Sequence, residues 1–261
     1  MEKRNKVGSG PVTKNYILGK IVAELKKALG ENLIYVISSG GVGSGVLIPG
    51  WSDLDFIVVI RKMTLNNKLI IAYIFQEIQK KYKVKLGGLA ISVKEFRSPN
   101  IPLISLDGKV LQTILELGKG KQVMIFGKRP LIYFHPDREQ IRKWSLNSIG
   151  QILWLHRRNI LKKSFNTKTA FQEQIKQSIH YALNITKLAI QFFRGRTCYS
   201  DEQFLKYSGN VFPTHLIECL KKIISYKSNW PDSIKDKNWL KILNIVDDYI
   251  EKCSSYVFKK V

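Results

Sequence analysis

The segment Ser38–Ile60, SSGGVGSGVLIPGWSDLDFIVVI, constrains this chain more than any other. It starts at the end of one short apolar run, Leu33–Ile37 (LIYVI), and closes on another, Phe56–Ile60 (FIVVI). Both runs are rich in β-formers and almost continuously apolar, as strands buried on both faces are. Between them lie a glycine-rich stretch and the sequence Ser-Asp-Leu-Asp. A strand has period two, so Asp53 and Asp55 share one face while Leu54 and Phe56 point to the other. Two carboxylates this close repel by about 4 kcal/mol at 4 Å and an effective dielectric of 20. Either one of them takes a proton or a cation sits between them. Oxygen-only ligands on a rigid strand suit Mg²⁺, which uses one or two carboxylates and completes its shell with water or substrate phosphates. The glycines let backbone N–H groups approach a phosphate with no Cβ in the way.

The remaining pattern divides in two. Up to about residue 135, helical stretches alternate with strands. Leu18, Ile21, Val22, Leu25 and Leu29 share a helix face, and Gly30 sits where helices commonly stop. Asn66–Tyr82 reads as a helix with Leu69, Tyr73, Ile74 and Ile78 inward, Leu89–Val93 as a strand, Val110–Leu117 as a short helix and Val123–Phe126 as a strand end. Beyond this the chain is helical, over 141–161, 169–193, 215–226 and 238–257. The 169–193 helix carries two apolar stripes, which predicts burial on more than one side. Between them runs a polar stripe of Lys176, His180, Asn184, Lys187, Gln191 and Arg194. The expected architecture is an α+β domain over 1–138, a mixed sheet with flanking helices, followed by an all-α helical-bundle domain over 139–261.

Lys and Arg number 43 against 20 Asp and Glu, a net charge of +23. The excess favours an anionic partner: nucleic acid, nucleotide phosphates or an anionic membrane. Cys198, Cys219 and Cys253 are odd in number and widely spaced, which excludes a disulfide framework and a zinc knuckle. No apolar run is long enough to span a bilayer, and MEKRNKVGSG is followed by no signal-peptide core, so a cytoplasmic protein without a membrane is expected.

The order strand, Gly-Gly, Gly-Ser-Gly, Ser-Asp-Leu-Asp, strand resembles the nucleotidyltransferases related to DNA polymerase β. The wording GGVGSGVLIPGWSDLDF is similar to bacterial protein uridylyltransferases and antibiotic nucleotidyltransferases. The helical second half is consistent with the helical domain of kanamycin- and streptomycin-nucleotidyltransferase relatives. The resemblance implies an enzyme that transfers NMP, most simply AMP from ATP, to a hydroxyl. Asp53 and Asp55 would hold Mg²⁺, and Gly40, Gly41 and Ser44 would cradle the β- and γ-phosphates. Ser52 would donate beside the metal, its alternative being a turn-forming hydroxyl. Lys187 would reach the triphosphate, its alternative being a solvated basic face.

Active members of that superfamily usually carry a third carboxylate on a later strand. Here that stretch, KVKLGGLAISVKEF, has Gly87, Gly88 and Ala90 where an acid is expected, and its nearest acid is Glu95. Three classes of function follow: an Mg-dependent enzyme with a small-molecule or RNA acceptor, a catalytically impaired fold that binds nucleotide or nucleic acid, or an interaction protein acting through its helical domain with the first domain as scaffold.

Overall fold

The computed structural model describes residues 14–38, 53–98, 124–128, 136–162, 167–196, 198, 200–230 and 238–261. Those residues fall into two compact units. The first is a mixed four-stranded sheet with flanking helices. Its strands are β1 (Leu33–Ser38), β2 (Leu54–Ile60), β3 (Leu86–Ser92) and β4 (Met124–Phe126), in the order β3-β2-β1-β4. β1 runs antiparallel to both β2 and β4, while β2 and β3 are parallel. A parallel pair needs a crossover, and helix α2 (Leu65–Tyr82) supplies it. Thr64 starts that helix, its Oγ1 accepting the Asn67 amide at 3.2 Å.

Strand alternation sorts the core. Leu54, Phe56, Val58 and Ile60 of β2 pack with Ile71, Ile74 and Ile78 of α2 and with Ile17, Leu18, Ile21, Leu25 and Leu29 of α1 (Lys14–Leu29). Ile57 and Val59 face the other way and are also buried, as the continuous apolar run predicts. Two side chains depart from expectation. Leu69 and Tyr73 are 60% and 64% exposed. Ile71, Ile74 and Ile78 set the inward stripe, and at 100° per residue Leu69 and Tyr73 fall on the far side of the helix.

The second unit is helical: α4 (Arg138–Lys162), α5 (Lys168–Arg194), α6 (Asp201–Ser208), α7 (Thr214–Ser228) and α8 (Trp239–Phe258). Helix α5 is its axis. Ile175, Ile179, Ile185, Leu188 and Ile190 are all essentially inaccessible, so both apolar stripes are used. The wholly buried Tyr249 of α8 closes on α5 through Thr186, oxygen to oxygen at 2.6 Å, and the Thr186 hydroxyl also reaches Ala182 O at 2.8 Å. Helices α4 and α8 are joined by His156 Nε2 to Asp247 Oδ1 at 2.8 Å and by the two-pronged pair of Arg157 and Glu251. The short α6 is not evident in the apolar periodicity; Ser200 caps it, its Oγ accepting from the Gln203 amide. Among the described residues no helix is long and apolar enough to cross a membrane.

Candidate functional site

Asp53 stands immediately before β2, and Asp55 is its second residue. β2 is an interior strand, so both carboxylates sit at the start of a strand with neighbours on each side. The register pairs Asp55 with Gly87 of β3. The ladder continues backwards, with Leu54 N donating to Lys85 O at 2.9 Å, so Lys85 lies across from Asp53. Residues opposite one another in a ladder share a face. Asp53, Asp55, Lys85 and Gly87 therefore belong to the face that α1 and α2 do not cover. β1 ends here too, since its last residue, Ser38, pairs with Phe56.

Gly87 shows how tightly the pair is set. A Cβ added there would overlap Oδ1 of Asp55 outright, 3.2 Å from its Cγ, and would stand 3.9 Å from the Cβ of Asp53. One missing side chain thus makes room for one carboxylate and borders the other. Gly88 serves the opposite face, where a Cβ would stand 2.7 Å from Cζ of Phe75. That ring packs edge-on against Phe56, with centroids 5.0 Å apart. The two glycines at the place expected for an acid thus each yield their space to a neighbour, one on either face.

The carboxylates are partly exposed. Oδ2 of Asp53 meets Nζ of Lys85 at 3.5 Å, an ion pair between side chains 23% and 64% exposed. Oδ1 of Asp53 is buried with no hydrogen-bond partner. A carboxylate oxygen in that condition is available to a ligand, because a buried lone pair without a partner costs about 1–3 kcal/mol. The donor set is oxygen only and supplies two side chains, which fits Mg²⁺ completed by water or phosphate. Among the described residues no cluster of three or more His, Cys, Asp and Glu side chains suits a metal ion. Glu95 does not join the pair. Its Oε2 accepts from the Ser92 amide at 2.7 Å while Ser92 Oγ accepts from the Glu95 amide at 3.2 Å, a reciprocal cap on the short helix α3 (Val93–Phe96). Hydrogen bonding to Ser92 holds its carboxyl below the usual range. Ser92 ends β3 and Gly87 lies near its start, about 16 Å away at 3.3 Å per residue.

Gly40, Gly41, Ser44 and Ser52 lie outside the described residues, as does the helix expected over Val110–Leu117. Lys187 lies on α5 of the helical unit and is only 8% exposed, so the solvated-face alternative does not hold for it. It lies near Cys198, whose thiol burial pushes up to about 12 while the Lys187 charge pulls the other way. One turn further on, Gln191 is fully buried, with neither side-chain amide atom hydrogen-bonded. Sequence reasoning missed Lys85. The available signal is parity, since Lys85 precedes Gly87 by two as Asp53 precedes Asp55, but only the β2–β3 register brings the two pairs together.

No family model matches the sequence, and no curated protein matches it. Solved structures do. The chain is similar to the spectinomycin adenyltransferase AAD(9) from Enterococcus faecialis, crystallised with ATP and spectinomycin, at 17% identity and a TM-score of 0.57. The match covers 90% of this chain and 98% of that one, so a sheet unit followed by a helical unit, the fold of a nucleotidyltransferase, is what the two share.

Proposed function

We propose that this chain is a nucleotidyltransferase of the DNA polymerase β-like superfamily that moves AMP from ATP to a hydroxyl of a small molecule. One observation carries the reading. Two carboxylates share a face at the start of an interior strand, one of their oxygens buried and unpartnered, in a fold shared with an adenyltransferase crystallised with ATP and a small-molecule antibiotic. Asp53 and Asp55 hold Mg²⁺ in this reading, and Gly87 keeps the space that the Asp55 carboxylate needs. Bound there, Mg²⁺ supplies charge neutralisation at the triphosphate and at the attacked phosphorus. The backbone amides of Gly40 and Gly41 and the Ser44 hydroxyl orient the β- and γ-phosphates, and Ser52 donates beside the carboxylates. The acceptor hydroxyl attacks the α-phosphorus in line, and the bond to pyrophosphate breaks. Positioning and charge stabilisation carry most of such a reaction. A small-molecule acceptor fits the similarity to the spectinomycin enzyme better than RNA does.

Labelled ATP with Mg²⁺ and a panel of aminocyclitols, aminoglycosides and lincosamides, with total tRNA as a separate arm, tests this. The expected result is a labelled small molecule and stoichiometric pyrophosphate, both lost in Asp53→Asn and Asp55→Asn. A labelled tRNA would replace the acceptor. The commitment of Glu95 to its helix cap favours one second reading, a catalytically impaired nucleotide-binding protein. Asp53-dependent Mg-ATP binding with no transfer in any arm would select it.

A further inference from the structure

The β3 side of the site presents Lys85, Gly87 and Leu89 in turn on the carboxylate face, and only Lys85 carries charge. Its ammonium stands 3.5 Å from Oδ2 of Asp53, while Oδ1 of the same carboxylate has no partner. At 64% exposure the lysine stem is free to swing, and an ammonium on a flexible four-carbon stem behaves as a movable point charge. We propose that Lys85 is a displaceable counter-cation of this site. It neutralises Asp53 in the free protein, competes with a divalent cation for that carboxylate, and turns to the phosphate oxygens of an incoming nucleoside triphosphate when the cation takes its place. The inference rests on the reading of Asp53 and Asp55 as a metal site. Its consequence is reciprocal coupling: each of metal and triphosphate binds more tightly once the other is present, because the triphosphate occupies the ammonium that would otherwise hold Asp53.

The test uses the full chain and Lys85→Met, which keeps the stem and removes the charge. Lys94→Met, on α3 past the far end of β3, removes the same charge elsewhere. Mn²⁺ affinity without nucleotide is read by electron paramagnetic resonance, and metal-free ATP affinity by calorimetry. An exposed ion pair is worth up to about 1 kcal/mol, so Lys85→Met is expected to bind Mn²⁺ roughly two- to fivefold more tightly and ATP weaker by a similar factor. Lys94→Met should match the unmodified protein. Mn²⁺ binding that Asp53→Asn abolishes, but that Lys85→Met leaves unchanged or strengthens no more than Lys94→Met does, overturns the competition. Unchanged ATP affinity overturns the transfer to phosphate. Mn²⁺ binding indifferent to Asp53→Asn overturns the metal site itself, and this inference with it.

Discussion

Substituting Gly87 separates the site from the fold more cleanly than substituting either aspartate. In Gly87→Ala the new methyl would overlap Oδ1 of Asp55 and stand 3.2 Å from its Cγ. What must yield is the far end of one side chain, since the backbone of Gly87 has no positive φ and accepts alanine. Turning a carboxylate off its rotamer costs about 0.5–1.5 kcal/mol. Replacing glycine by alanine returns about 0.4–1 kcal/mol through the unfolded chain. The two nearly cancel, so Tm should move by no more than about 4 °C. Ligation is far less tolerant, because Mg²⁺ demands oxygens near 2.1 Å and a displacement of about 1 Å removes a ligand. A misplacement of that size costs on the order of 10²-fold where geometry sets the rate. The expected result is a near-native melting curve with Mn²⁺ affinity and any nucleotidyl transfer lowered about 10²-fold or more. Wild-type metal affinity in Gly87→Ala would refute the placement of the Asp55 carboxylate as a ligand. A Tm loss above about 8 °C would refute the view that only a flexible side chain gives way.

Gly88→Ala should behave in the opposite sense, since its methyl meets the Phe75 ring packed on Phe56; a loss of about 1–3 kcal/mol in denaturant melts is expected. Thr186→Val leaves the fully buried Tyr249 hydroxyl with Cys253 as its remaining side-chain partner and should cost about 0.5–1.5 kcal/mol by the same measurement, with Tyr249→Phe in the same background recovering part of it. The hydrogen bond from Arg157 lowers the Glu251 carboxyl below its ordinary value of 4.5. That pair therefore stabilises the fold above about pH 4.5, and its contribution disappears as pH falls through the lowered value. At this exposure the effect is at most about 1 kcal/mol, and Glu251→Gln should remove that part of the acid dependence in melts between pH 6 and 3.

Local pattern alone made much of this protein legible. The apolar runs LIYVI and FIVVI specify strands, because segments so short and β-branched bury both faces more readily than they form helices. The shared face of Asp53 and Asp55 follows from the two-residue period, and the two stripes of α5 follow from the helical one. Only tertiary structure decided which neighbours those residues meet. Leu69 and Tyr73 are apolar enough to be read inward, yet α2 turns its Ile71, Ile74 and Ile78 stripe to the sheet and leaves both outside. Lys187 belongs to a polar stripe that the sequence allows to be solvated, and packing around α5 buries it. Most of all, register is a long-range property: no local preference says that Lys85 and Gly87 lie beside Asp53 and Asp55, because α2 and its flanking turns intervene along the chain. That pairing turns Gly87 and Lys85, in a stretch that lacks the expected carboxylate, into the space and the charge around the site.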